Sequence, residues 1–370
     1  MTAFTTREWQ GQRFGIAEKF GDTATELESA VVSTISYSDL FGYAPSIEEI
    51  TRYLHRVPAD AKSVESATGA LAEDGRLISD GKWYALPGRG HFFEQRRARM
   101  RTASQLWIEA RRYAKALASI PTVRMVGVTG SLAVDNTEAG ADIDLMLIVD
   151  GGTLWRTRAI AKLMQLTSRR LGGNLCANYF LSDRALTLNE ESLYVAHELT
   201  QMVVLYGLDT YETFRHRNEW TRNFLPNALG APRDLDPVKP SRLIRETARP
   251  LVLSAPASRL EQWECERKLH LYNDTDFQPG QYSRYSREAT GHRLNIRDQI
   301  ESQHGARLRD ADPARPLRLL FGQSYHLYFD PKLWREMRPY PPLGSLYGAA
   351  VAREAGHEVR FFDSMLATNN

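Results

Sequence analysis

VTGSLAVDNTEAGADIDLMLIV, residues 128–149, is the stretch on which the reading of this chain turns. Gly130 and Ser131 are followed, ten residues on, by Asp142 and Asp144, which open an apolar run. In an extended strand alternate side chains share a face. Asp142 and Asp144 therefore point one way, while Ile143, Leu145, Leu147 and Val149 line the opposite, buried face. Carboxylates side by side repel each other. A hard divalent cation such as magnesium, which takes oxygen ligands and bridges substrate phosphates, relieves that repulsion. Gly130 lets the backbone approach a phosphate closely, and Ser131 at a helix start offers hydroxyl and amide donors.

The order strand, Gly-Ser, ten residues, Asp-Ile-Asp, strand resembles the signature of the nucleotidyltransferase fold of the DNA polymerase β superfamily, over roughly residues 120–182. The resemblance implies metal-dependent transfer of a nucleotidyl group from a nucleoside triphosphate to an acceptor hydroxyl. It assigns the triphosphate to Gly130 and Ser131, and Mg²⁺ or Mn²⁺ to Asp142 and Asp144. Such enzymes usually carry a third carboxylate on a later strand of the same sheet. The next strand pattern, NLCANYFLSD at 174–183, instead places Asn178 at its central polar position, with Asp183 past its end. Asn178 can coordinate a metal through its carbonyl oxygen, but it cannot act as a general base. A base from elsewhere would be His197 or Glu198, in the amphipathic stretch LYVAHELTQMVVLYG. A hydrogen-bonding or solvated role is the plainer reading of both.

Charge favours a phosphate ligand close by. The helix pattern at 153–171 carries Arg156, Arg158, Lys162, Arg169 and Arg170 and no acid. Arg156 and Arg158, nearest the motif, are the candidate contacts to the nucleotide. The preceding helix pattern, 91–119, has seven Lys or Arg against Glu94 and Glu109. Its apolar stripe runs through Ala103, Leu106, Ala110, Tyr113 and Leu117.

Three helix patterns and a hairpin precede the motif. The helices read as 25–40, a second opened by a capping box at Ser46 and Glu49, and a third stopped at Gly75. The strands alternate around a two-residue turn at Asp80-Gly81. The arrangement resembles a winged helix-turn-helix domain over residues 23–88, a kind that often binds DNA through its third helix and wing. Residues 30–86, however, hold five Lys or Arg against eight Asp or Glu. Phosphate contacts need cations, so protein interaction or substrate positioning is favoured over DNA.

Behind the motif, residues 183–275 read as a helical region, with helices at 190–206, 211–224 and 258–272. Residues 276–315 are polar, with scattered Gly and alternating charges, and read as a linker. Residues 316–370 read strand, helix, strand, with Pro-Pro-Leu-Gly entering the helix. This resembles the opening of the cobalamin-binding Rossmann-like domain ahead of many radical S-adenosylmethionine enzymes. Neither the cysteine triplet of an iron–sulfur cluster nor a cobalamin-ligating histidine motif accompanies it, so cobalamin is not expected here.

Hydrophobic residues make up 42% and charged residues 25% of 370, ordinary for a globular protein, and the net charge of +2 gives no global field toward nucleic acid or membrane. There is no apolar run of membrane-spanning length and no signal-peptide core at the start. Cys176 and Cys265 make neither a metal spacing nor a disulfide framework, and read as free thiols of a cytoplasmic protein. The expectation is an α+β multidomain chain: a winged-helix-like domain (23–88), a nucleotidyltransferase core of mixed sheet and flanking helices (91–182), the helical region, the linker and a partial βαβ unit. Its expected activity is nucleotidyl transfer to an unidentified acceptor, whether protein, RNA or small molecule. The alternative is a catalytically degenerate nucleotide-binding or scaffold protein, contacting a cobalamin or radical enzyme partner through its front domain or its tail.

Overall fold

The chain divides into two units, residues 1–311 and residues 312–370. The computed structural model describes residues 23–188, 190–233, 235–273, 286–290, 296–311, 318–323, 343–354 and 358–363.

The first unit opens with α1 (Thr23–Asp39), α2 (Ile47–Arg52) and α3 (Ala61–Glu73), followed by the antiparallel strands β1 (Ile78–Ser79) and β2 (Tyr84–Ala85). The expected capping box is present: the Ser46 hydroxyl accepts from the Glu49 amide at 3.4 Å, and the Ser46 amide donates to Glu49 Oε2 at 2.8 Å. Helices as short as α2 and α3 are marginal in isolation. Ile50, Leu54, Val64 and Leu71 are wholly buried against Val31 and Ile35 of α1, each side chain contributing about 2 kcal/mol. The hairpin turn lies one residue later than expected, since the Asp80 amide meets Trp83 O at 3.4 Å and leaves Gly81-Lys82 as its central pair. Gly81 carries the positive φ of 89° there, and Asp80 Oδ1 receives the Lys82 and Trp83 amides.

Next come α4 (His91–Ala118), β3 (Val123–Val128), the short α5 (Gly130–Ala133), β4 (Ile143–Val149), α6 (Leu154–Arg170) and β5 (Leu175–Ser182). They continue into α7 (Leu193–Gln201), β6 (Val203–Tyr206), α8 (Leu208–Arg217), α9 (Arg242–Val252), α10 (Ala255–Asn273), β7 (Ala289–Thr290) and α11 (Ile296–Ala311). The strands form one mixed sheet in the order β6-β3-β4-β5-β7, with only the β4–β5 pair parallel. Ile143, Leu145, Leu147 and Val149 line one sheet face, each fully buried with residues of α4 and α6. Met146, Ile148, Tyr179 and Leu181 line the other, packed on Val195 and Leu199 of α7 and Phe214 of α8.

Three expectations are corrected. The helix read over 190–206 ends at Gln201, and the β-branched run Val203-Val204 continues as β6, paired antiparallel with β3. The sheet therefore draws strands from outside residues 91–182, one of them β7. Residues 276–315 include β7 and the sixteen-residue α11, whose Leu308 and Ala311 pack on the front helices. A third helix, α9, precedes the one expected at 258–272. Residues 1–22 and much of the expected linker, 274–285 and 291–295, lie outside the described residues.

Gly207 makes the turn from β6 into α8 at φ 80°, and a Cβ there would lie 2.0 Å from the Arg124 carbonyl oxygen. Gly207→Ala is expected to cost at least about 2 kcal/mol, because left-handed strain and backbone displacement add. Urea unfolding measures it, and an unchanged midpoint would contradict this packing.

The second unit comprises β8 (Arg318–Gln323), α12 (Leu343–Glu354) and β9 (Glu358–Asp363). The two strands pair in parallel from Arg318↔Glu358 to Gln323↔Asp363. The prolines expected to enter α12 lie outside the described residues.

Candidate active site

The site grows from the start of β4. Asp144 pairs in register with Cys176, but Leu145↔Ala177 is followed by Met146↔Tyr179, so Asn178 is the extra residue of a β-bulge. A bulge re-aims side chains. Here it turns two successive residues, Asn178 and Tyr179, to the Asp144 side of the sheet, where they line one cavity with Asp144 and Met146. Asn178 Nδ2 donates to Asp144 Oδ1 at 2.9 Å. The amide oxygen of Asn178 is buried and meets no hydrogen-bond donor among the described residues.

Asp144 faces the Gly-Ser turn. The Thr129 amide donates to the Asp144 carbonyl at 3.0 Å. A Cβ on Gly130, whose φ is 66°, would meet Asp144 Oδ2 at 2.9 Å, so only glycine fits this approach. The loop beyond is tied down from two sides. Arg96 donates to the Val134 carbonyl at 2.7 Å, and Asn136 donates to the Phe41 carbonyl at 2.9 Å. Arg99 reaches the Gly42 carbonyl, Asn136 Oδ1 and the Glu138 carboxylate. The front helices are thus bound to the turn that carries Ser131.

Glu198 faces the same space from α7. It lines a cavity of about 220 Å³ with Asp144, Asn178 and Gly130, and also a neighbouring cavity of about 470 Å³ with Gly130, Ser131 and Tyr194. Burial, and then the charge of Asp144, push the Glu198 carboxyl up to about 7. Burial pushes Asp144 up to about 6, Asp142 adds to it, and a hydrogen bond from Cys176 opposes it. Burial and then the two aspartates push the Cys176 thiol up to about 11. The site thus concentrates negative charge, met by Arg169 beside Asp142 and by Lys162 acting on Cys176.

Asp142 sits just before β4, about half exposed, with Arg169 Nη2 3.7 Å from its Oδ2. An ion pair so long and so wet is weak. Asp142 still acts electrostatically on Asp144. Asp183 lies at the far end of β5, accepting the Gly151 amide at 2.9 Å.

Arg156 is not a nucleotide contact. Its guanidinium is buried and donates to the Val252 carbonyl at 2.9 Å, the Gly152 carbonyl at 3.0 Å and Ser258 Oγ at 3.3 Å. Glu261 of α10 pairs with it at 3.3 Å and also accepts the backbone amides of Trp155 and Arg156, at 2.9 and 2.6 Å. That carboxylate caps α6, whose own N-cap Thr153 makes no side-chain cap. Removing it as Glu261→Ala strands a buried guanidinium and should cost about 3–5 kcal/mol, read as a loss of melting temperature. Arg158 lies against the Trp155 ring at 5.6 Å and lines neither cavity. Arg169 is the basic residue of α6 that reaches the motif, and its place in the last turn of that helix offered no sequence signal.

His197 is a packing residue. Its ring stacks on Tyr37 at 4.2 Å and 10°, and its nitrogens meet His55 Nε2 at 3.3 Å and Gln201 Nε2 at 3.1 Å. Burial depresses it to about 3, so it is neutral at physiological pH.

Among the described residues no group of three or more His, Cys, Asp or Glu is gathered closely enough to hold a metal ion. Magnesium does not need such a cage, since it is usually held by one or two carboxylates together with substrate phosphates and water. Asp142, Asp144 and the orphaned Asn178 oxygen fit that lighter demand. No protein-family model matches the chain, and neither a curated protein nor a solved structure matches it.

Proposed function

We propose that the first unit is a metal-dependent nucleotidyltransferase, moving a nucleotidyl group from a nucleoside triphosphate to an acceptor hydroxyl. The observation that carries the reading is the approach of Asp144 to Gly130, which sets a largely buried carboxyl against a glycine turn. Asp142 and Asp144, with the Asn178 oxygen, would hold Mg²⁺ or Mn²⁺. When bound, such an ion neutralises charge on the transferred phosphoryl group and aligns the attacking oxygen. Gly130 and Ser131 position the phosphates. Glu198 receives the proton of the acceptor hydroxyl as the new oxygen–phosphorus bond forms and the bond to pyrophosphate breaks. The front helices, winged-helix-like in order, serve to wall the site, and their acidic balance supports that role over DNA binding.

A second reading is favoured by Asn178 itself. A neutral amide stands where an acid is expected, and its nitrogen already donates to Asp144. In that reading the site binds nucleotide without transferring it, and the chain acts as a sensor or scaffold for a partner.

Incubation with each of the four α-labelled triphosphates and Mg²⁺ or Mn²⁺ separates the two. Transfer of label by the parent and none by Asp144→Ala is expected. Tight nucleotide binding without transfer would establish the second reading, and equal transfer by both proteins would remove Asp144 from the mechanism. Among the described residues no helix is long and apolar enough to cross a membrane.

A further inference from the structure

The larger cavity has a composition unlike that of the phosphate turn it adjoins. Its volume of about 470 Å³ lies between the front helices and α7, within the range of small-molecule sites. Its walls are aromatic: Tyr37, Phe41 and Tyr43 from the front module and Tyr194 from α7, with Ile300 of α11 at one side. Phe41 is 43% exposed, so part of its ring is open to a ligand.

Charge divides the region in two. The only charged groups lining the cavity, among the described residues, are Arg99, Glu138 and Glu198. Arg99 is already engaged by Glu138, Asn136 and the Gly42 carbonyl. The wall therefore offers an anion no free guanidinium, and beside the Arg99–Glu138 pair it presents the Glu198 carboxyl. The cations lie elsewhere: Arg169 beside Asp142, and Lys162 close enough to Arg158, Arg169 and Cys176 for their charges to act on it. The phosphates then lie at the Gly130-Ser131 edge of the cavity, and a flat uncharged or cationic ring belongs in its aromatic part.

We infer that this cavity binds a small molecule carrying a flat ring, neutral or cationic. Under the transferase reading, on which this last assignment rests, that molecule is the acceptor, with its hydroxyl toward Glu198. The space does not admit a duplex or a folded domain, so the group held there is of small-molecule size.

The test uses the full chain without nucleotide or metal, and two flat fluorescent probes of opposite charge. Thioflavin T is cationic and 8-anilinonaphthalene-1-sulfonate is anionic. Thioflavin T should bind at least about tenfold more tightly than the sulfonate, and Phe41→Ala should weaken it several-fold by removing an aromatic wall. Ser38→Trp, which fills the cavity, should abolish binding, with circular dichroism confirming that each variant is folded. Equal binding of both probes, or thioflavin T binding unchanged in both variants, would overturn the inference. Label from a triphosphate recovered on nucleic acid or protein would overturn it too. Selective thioflavin T binding with no label transfer would support the ligand class while ending the transferase reading, so the two failures are distinct.

Discussion

Asp144→Asn is expected to stabilise the protein at pH 8 while removing the nucleotidyl transfer proposed for it. The Asp144 carboxyl is raised from 3.8 to about 6, chiefly by burial. A raised carboxyl favours the protonated form in the folded state. Its contribution is complete below the unfolded value near 4 and is lost as pH rises through about 6. The full gap corresponds to about 3 kcal/mol, an upper figure because the side chain is only partly enclosed. Asparagine keeps the shape, can still accept from Asn178, and carries no charge at any pH. It also lifts the repulsion that Asp144 exerts on Glu198. Urea unfolding should show a gain of about 1–3 kcal/mol at pH 8 that vanishes at pH 4. An equal gain at both pH values would trace the effect to packing rather than charge. Millimolar Mg²⁺ should raise the melting temperature of the parent more than that of the variant, because only a ligand of the folded state stabilises it.

The second large effect lies below about pH 4. His55, His197 and His304 surround Tyr37, with ring centroids 5.7, 4.2 and 5.5 Å from it, and join α1, the segment after α2, α7 and α11. Ser33 Oγ holds His55 Nδ1 at 2.8 Å, and the Ser33 carbonyl holds His304 Nε2 at 3.0 Å. Burial depresses all three histidines, His55 well below its ordinary value. The charges acting on the cluster are mixed: Arg56 bears on His55 and His304, while Glu198 and Glu301 bear on Tyr37. A depressed histidine contributes stability that is present above about 6.5 and lost as pH falls toward its folded value. Each costs about 1.4 kcal/mol per pH unit across that window.

Asp144 and Glu198 act with the opposite sign, gaining as pH falls from about 7 to about 4. Three histidines are opposed by two carboxyls over that range, so the stability of the parent should fall only gradually between pH 7 and pH 5. Below about 4 both carboxyl contributions are complete while His197 continues to lose down to about 3. A steep fall is expected there. In Asp144→Asn the steep fall should begin nearer pH 6.5, since one offsetting group is gone. In His197→Phe, which keeps a ring over Tyr37, the acid limb should be shallower whatever the stability at neutral pH. A parent that gains stability steadily as pH falls from 7 would show that the cluster is already open to water, because histidines with their ordinary value bind protons equally in both states.

How much of this was legible depended on distance along the chain. Strands β3, β4 and β5 and the buried face of β4 follow from period-two alternation, and the Ser46 capping box from a four-residue pattern. The position of β6 did not follow, because Val203–Tyr206 continues an amphipathic run, and only pairing with β3 makes it a strand. The roles of the α6 cations were misplaced for a similar reason. Nothing near Arg156 announces Glu261, about a hundred residues away, whose carboxylate consumes it.

The sequence by itself determined many of the local elements, the buried face of β4, and the glycine that a close approach requires. These rest on helix and strand periodicity and on the conformational freedom of single residues. Only the tertiary structure decided that a bulge swings Asn178 beside Asp144, that Glu198 stands opposite, that His197 is locked in an aromatic stack, and that the front helices wall the larger cavity. Each of these brings together groups far apart in the chain, at separations of a few ångströms that no local pattern encodes. Burial and charge at those separations then set the protonation states on which the chemistry depends.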